Sequence, residues 1–202
     1  MFISELKIDT YNIPLPEPVE AYAAGVMKSF DLVICRVTND NGIEGVGYIT
    51  VHENQGKAIA QIIKDSFVDL LKNKDPRYIE YLWNLMWKKV HYAGRGGPVS
   101  FAIAAVDVAL WDLKGNYYQT PVYKILGGPT RKTVPAYASM LGFNVEDMGL
   151  VKERAKEFKF QGYTAQKWFF RHGPMSGYKG LQKNIQLVET LRLALGDDYD
   201  IM

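Results

Sequence analysis

The sequence predicts an α+β domain that is followed by parallel strand–helix units. Three observations predict this class. Two segments of alternating apolar and polar residues flank a turn at residues 39–42, and apolar residues recur at helical spacing through residues 58–113. Beyond Pro129, predicted strands and helices follow one another in turn. We therefore divide the chain into an α+β domain, residues 1–128, and a strand–helix domain, residues 129–202.

The composition indicates a globular protein of the cytoplasm. The 202 residues include 24 Lys and Arg against 22 Asp and Glu, a formal charge of +2, and this balance argues against nucleic-acid or anionic-membrane partners. A single cysteine, Cys35, excludes an internal disulfide and suits a reducing compartment. No secretory signal and no apolar run of about 20 residues, as a membrane span requires, is visible.

The first part begins as a meander of about three antiparallel strands. Residues 4–13 predict the first strand, and Pro14, Pro16 and Pro18 then predict an irregular loop through residue 29. Residues 30–38 alternate apolar and polar side chains. They lead into an Asn-Asp-Asn-Gly turn, because Asn and Gly tolerate the positive φ of a tight hairpin. Residues 43–50 return as the partner strand.

Helices complete this part. Apolar residues at helical spacing predict helices over residues 58–72 and 77–92, the second starting after Asp75 and Pro76. A glycine-rich connection, residues 94–98, opens a third helix near Val99 that ends near residue 115.

Beyond residue 129 the order is strand, helix, strand, helix, strand. Strands are predicted to start near residues 134, 164 and 199, one helix is capped by Asn144, and another covers residues 181–195. Two and a half such units can neither cover a parallel sheet nor close a barrel. We therefore expect the chain to be a truncated piece of a larger protein.

Ligands of strand–helix folds meet the carboxyl ends of the strands, which directs attention to Lys167. A partly buried lysine there can act as a base or hold a carboxylate or enolate oxygen as a cation; the alternative is a lysine that extends into solvent. Arg171 and His172 are either anion-binding groups or part of a solvated loop, and His52 is either a ligand contact or simply exposed. No motif with metal-ligand spacing is present.

Two segments carry a resemblance to a known family. Residues 104–115 (AAVDVALWDLKG) and residues 120–128 (TPVYKILGG) closely resemble the capping-domain helix and linker of the enolase superfamily, in its mandelate racemase and muconate-lactonizing branch. The glycines of residues 94–97 and the hairpin of residues 41–47 are also similar to that branch. The resemblance covers the whole chain in order.

This resemblance implies a fold and a chemistry. The fold is an α+β capping domain followed by the first βα units of a TIM-type (β/α) barrel. The chemistry is removal of a proton next to a carboxylate, with the enolate stabilised by Mg²⁺. By analogy the protein would be a homo-oligomer, and its metal carboxylates would come after Met202, so we expect no metal ligands within these residues.

Residue by residue, the resemblance points to a sugar-acid dehydratase. The family often has Lys-X-Lys in the second barrel strand; Lys167 matches the first lysine, but Phe169 replaces the second, which is the base. This pattern is similar to that of the acid-sugar dehydratases, which give 2-keto-3-deoxy sugar acids in carbohydrate catabolism. Residues 173–180 (GPMSGYKG) also look like those of the rhamnonate dehydratases. The capping loops imply substrate contacts among the side chains at Tyr22, Lys28, His52 and Glu53, with Arg171 added from the barrel. A racemase, epimerase or cycloisomerase of the same superfamily, or a catalytically inactive fragment, remain the alternatives.

Overall fold

The computed structural model describes residues 1–21, 25–52, 54–94 and 96–202. The chain forms two compact units. The first contains residues 1–14 and 29–130, and the second contains residues 15–28 and 131–202. Within the described residues, no helix is long and apolar enough to cross a lipid bilayer.

The first unit is built on a three-stranded sheet in the order β1-β2-β3. The strands are β1 (Ile3–Ala21), β2 (Gly25–Asn39) and β3 (Glu44–His52), and β2 pairs antiparallel with β3. The alternation predicted for β2 is present in the structure, and its Val33, Cys35 and Val37 face is completely buried.

The predicted irregular loop over residues 15–29 is wrong, because β1 continues through the prolines to Ala21 and β2 begins at Gly25. β1 is an edge strand. Prolines at 14, 16 and 18 are spaced by two, so all of their missing N–H groups fall on the same edge of the strand, and an edge strand has one edge that needs no ladder hydrogen bond.

Helices cover one face of this sheet. They are α1 (Gly56–Ser66), α2 (Val68–Leu71), α3 (Ile79–Val90), α4 (Gly97–Tyr117) and α5 (Val122–Ile125). The predicted helix over residues 58–72 is divided at the buried Phe67. Asp75 accepts a hydrogen bond from the Arg77 amide (2.9 Å), but the helix begins only at Ile79, after Tyr78, so the predicted cap by Asp75 is not formed.

The helix α4 is the centre of the first core. Nine of its residues are buried, and β3 lies directly against it. Gly45 and Gly47 make this approach possible, because a Cβ on Gly47 would lie 2.1 Å from the Ala105 carbonyl oxygen and one on Gly45 would lie 2.2 Å from that of Ala109. The sequence resemblance of this hairpin thus has a physical cause, which is close strand–helix packing.

The second unit contains three short parallel strands in the order β4-β5-β6, as predicted. They are β4 (Ala138–Ser139), β5 (Ala165–Lys167) and β6 (Asp200–Ile201), and they alternate with α6 (Met148–Phe160) and α7 (Gly177–Leu195). The paired segments are shorter than predicted. Asp147 rather than Asn144 caps α6, accepting hydrogen bonds from the amides of residues 149 and 150.

Candidate functional site

The strand β5 separates two kinds of side chain onto its two faces. Gln166 is fully buried on the helix side, where its Nε2 donates to the Ala155 carbonyl of α6 at 2.8 Å. The Trp168 indole, also buried, donates to Gln166 Oε1 at 3.0 Å. Since alternate residues of a strand point to opposite faces, Lys167 and Phe169 point away from the helices.

Lys167 is the last residue of β5 and is half-buried. Its carbonyl accepts a hydrogen bond from the Met140 amide (2.8 Å), and it is paired with Ser139 of β4. The Nζ atom lies 5.1 Å from the centroid of the Phe169 ring and 6.0 Å from that of the Tyr137 ring. Both distances allow cation–π attraction, so the ammonium lies near two aromatic rings on the face of β5 away from the helices.

The loop after β5 carries the other two polar residues of this segment. Arg171 is exposed. His172 Nε2 lies 2.7 Å from Glu146 Oε1, and the second oxygen of Glu146 pairs with Lys183. The Lys183 ammonium, and after it the His172 hydrogen bond, hold the pKa of the Glu146 carboxyl below its usual value.

The predicted substrate contacts of the capping part are only partly described. Tyr22 and Glu53 lie outside the described residues. His52, the last residue of β3, is exposed. Its ring lies edge-on to that of Phe30, with the two ring centroids 6.4 Å apart. Lys28 is exposed on β2. His52 belongs to the first compact unit, whereas Lys28, Lys167 and Arg171 belong to the second.

The described residues do not fit a resident magnesium site. In the part of the chain that the structure describes, no group of three or more Asp, Glu, His or Cys side chains could hold a metal ion. Mg²⁺ prefers carboxylate oxygens in octahedral geometry. No chemical step is therefore assigned to a metal on the described residues.

Sequence reasoning missed a buried carboxylate in the first unit. Asp31 accepts hydrogen bonds from the Asn12 side-chain amide and from the Gly56 amide, both at 2.9 Å, at the start of α1. The Asn12 contact, together with the backbone amides, lowers the pKa of Asp31. A polar side chain on the buried face of an alternating strand was the available signal. The carboxylate borders a polar cavity of about 460 Å³, lined by Thr10, Asn12, Ser29, Asp31, Asn54 and Lys57.

Glu146 is another polar residue whose role the sequence does not indicate. In the structure it precedes the cap of α6 and bonds the loop after β5. Nothing in the local sequence around residues 144–147 indicates His172 as its partner, because the two residues are 26 positions apart.

The described residues form an α+β unit with a three-stranded meander and, later in the chain, parallel strand–helix units. Comparison with known proteins agrees. Residues 4–127 match the family model of the mandelate racemase / muconate lactonizing enzyme N-terminal domain. The chain belongs to this family, in the enolase superfamily.

Individual relatives cover nearly the whole chain. The chain is 35% identical over 200 residues to the 3,6-anhydro-alpha-L-galactonate cycloisomerase of Streptomyces coelicolor. These aligned residues make up 99% of this chain and 53% of that protein. It is 34% identical over 170 residues to the L-rhamnonate dehydratase of Saccharopolyspora erythraea, covering 84% of this chain and 40% of that protein.

The fold is also found in solved structures. A racemase from Streptomyces coelicolor A3(2) with bound magnesium superposes with a TM-score of 0.86 at 33% identity, covering 100% of this chain and 54% of that chain. The chain thus spans about half the length of the relatives it matches. Their names include sugar-acid dehydratases, a cycloisomerase and racemases.

Proposed function

We propose that the protein that carries this chain is an acid-sugar dehydratase. It would remove the proton next to the carboxylate of a sugar acid and expel the neighbouring hydroxyl, which gives a 2-keto-3-deoxy acid. The observation that supports this most is the position of Lys167 at the carboxyl end of β5, on the face away from the helices, with Phe169 two residues later.

The chemistry requires a positive charge near the carboxylate. A proton next to a carboxylate is very weakly acidic, and negative charge grows on the carboxylate oxygens as it leaves. The proposed role of the Lys167 ammonium is to hold that charge, which is worth most where water is excluded. Phe169 cannot accept a proton, so we assign to this strand the stabilisation of charge and not the removal of the proton.

Three proposed contacts and a metal complete this assignment. Arg171 on the loop after β5 and His52 at the end of β3, together with Tyr22, are the proposed substrate-binding residues. Magnesium, when bound, would supply further electrostatic stabilisation of the enolate. A small carboxylate substrate, a cytoplasmic location and a homo-oligomer are part of the same proposal, and sedimentation velocity tests the last of these.

A cycloisomerase or racemase is the second candidate. The observation in its favour is the S. coelicolor cycloisomerase, which is similar over 99% of this chain. Both candidates begin with the same proton removal, but only the dehydratase loses water. The mass of the product therefore separates them.

The test uses the protein as its gene encodes it, with Mg²⁺ and a panel of sugar acids, rhamnonate, galactonate and mannonate among them. Mass spectrometry of the products is expected to show a keto acid that is lighter than its substrate by one water. A product of unchanged mass would replace the dehydratase with the isomerase. Turnover of amino-acid or dipeptide epimers without dehydration would refute the class.

The 202 residues alone are proposed to be catalytically inactive, since the described residues offer no group of three metal ligands. Isothermal titration of this chain with Mg²⁺ is expected to show no tight binding. Tight binding together with turnover of a sugar acid would contradict this part of the proposal.

A further inference from the structure

The carboxylate of Glu146 joins three segments of the second unit. Its Oε1 atom lies 2.7 Å from His172 Nε2 in the loop after β5, and its Oε2 atom pairs with Lys183 of α7. Glu146 itself lies in the loop after β4. One side chain therefore bonds the two loops that leave the carboxyl ends of neighbouring parallel strands, and also the helix that follows.

The backbone around Glu146 is fixed from both sides. The Glu146 amide donates to the side-chain oxygen of Asn144 at 2.9 Å, and Asp147 then caps α6 with hydrogen bonds from the next turn. The carboxylate thus starts from a backbone whose direction two local turns determine, so its contacts with His172 and Lys183 order the side chain without having to order the backbone as well.

The His172 side of the contact is held as well. The Asn184 side-chain amide donates to the His172 carbonyl at 2.8 Å. Gly180 lets α7 approach this loop closely, because a Cβ there would lie 2.9 Å from the Cβ atom of His172 and 2.3 Å from that of Ser176. His172 has a side-chain exposure of 20% and Glu146 of 32%, so the pair is partly shielded from water.

Arg171 directly precedes His172 on this loop, and Lys167 lies at its start. A displacement of the His172 backbone therefore moves the backbone of Arg171. We propose that Glu146 is a positioning residue, which holds residues 168–176 through His172 so that Arg171 can bind the carboxylate of an acidic substrate. The part that concerns the substrate rests on the function proposed above, whereas the holding of the loop does not.

The test compares Glu146→Gln with Glu153→Gln. Glu153 is an exposed residue of α6, so its variant controls for the loss of one carboxylate from the same region. The amides of residues 168–176 are expected to exchange with deuterium about fivefold faster in E146Q, as suits a partly exposed charged contact, and at the wild-type rate in E153Q. Unchanged exchange in E146Q would overturn the proposal, whatever the activity of the protein.

The second readout is kinetic and uses the protein as its gene encodes it. If Glu146 positions Arg171 for substrate binding, E146Q raises KM several-fold with a smaller change in kcat, and Arg171→Lys gives the same pattern. A lowered kcat with unchanged KM would overturn the substrate-positioning role while leaving the holding of the loop in place. If no sugar acid is turned over by the wild type, the substrate part falls with the proposed function, and hydrogen exchange decides the rest.

Discussion

The contact of β3 with α4 allows a stability prediction of known direction and size. In Gly47→Ala, the new Cβ would lie 2.1 Å from the Ala105 carbonyl oxygen and 2.5 Å from the Ala109 amide nitrogen. Carbon and carbonyl oxygen atoms approach no closer than about 3.3 Å, so the strand and the helix must separate by about 1 Å. Both clashing atoms belong to the backbone, and no change of side-chain rotamer relieves them.

We expect this separation to cost about 3 kcal/mol or more, at the upper end of the range for overpacked cores, because it spreads along the whole β3–α4 contact. A loss of this size is a large fraction of the 5–15 kcal/mol of a typical domain. Urea unfolding followed by circular dichroism measures it. Gly42→Ala is the control, because Gly42 has a φ of 76° but open space around its Cβ, and we expect it to lose only about 1–2 kcal/mol.

A second control tests the origin of the clash. Ala105→Gly removes a side chain but leaves the carbonyl oxygen that Gly47→Ala would meet. The double variant should therefore be no more stable than G47A. Wild-type stability of G47A, or its rescue by A105G, would refute the reasoning.

Three further predictions follow from individual contacts. Asp31→Asn should lower stability at pH 7 by about 1 kcal/mol, since Asp31 accepts the Gly56 amide at the start of α1. Because the pKa of Asp31 in the folded protein is lowered from 3.8, the ionised carboxylate stabilises the fold above pH 3.8, and this stabilisation is lost as the pH falls through the folded-state pKa. The free energy of unfolding of D31N, measured with urea between pH 2 and pH 5, should therefore fall less with acid than that of the wild type. Lys183→Met should raise the pKa of Glu146 towards its usual value of 4.5, since Lys183 is the main cause of its lowering, and a carboxyl carbon-13 titration that shows no change would contradict this. Trp168→Phe removes the donor to the buried Gln166 Oε1 and should cost about 1–3 kcal/mol in thermal unfolding, whereas the exposed Phe170→Leu should change little.

The order and type of the elements could be predicted from sequence, because they depend on local periodicity. The apolar spacing of α4 and the Asn-Gly turn before β3 are signals that adjacent residues supply. Within residues 104–128, the segment that resembles a capping domain, Ala105 and Ala109 lie where β3 approaches α4, and Gly127 and Gly128 have positive φ with open space around them. The family assignment therefore depended on residues whose physical role became visible only in the structure.

The failures concern long-range contacts. The prolines of β1 predicted a loop, because proline is rare inside strands. A strand tolerates them when it lies at the edge of a sheet, and the position of a strand in the sheet cannot be read from the adjacent residues. The face of β5 on which Lys167 lies follows from Gln166, because the Gln166 side-chain amide donates to a carbonyl of α6 and the next residue must point to the opposite face. The contact of Glu146 with His172 depends on two loops from neighbouring strands, and no spacing in the sequence encodes it.

The proposed role of Lys167 is to provide the positive charge that stabilises a sugar-acid enolate. It is tested most directly by turnover of Lys167→Met and Lys152→Met in the protein as its gene encodes it, since Lys152 is an exposed lysine of α6. The loss of an electrostatic stabiliser of this kind predicts a fall in kcat of about 100-fold or more for K167M, with wild-type kcat for K152M. A K167M variant that dehydrates the sugar acid at the wild-type rate would contradict the account.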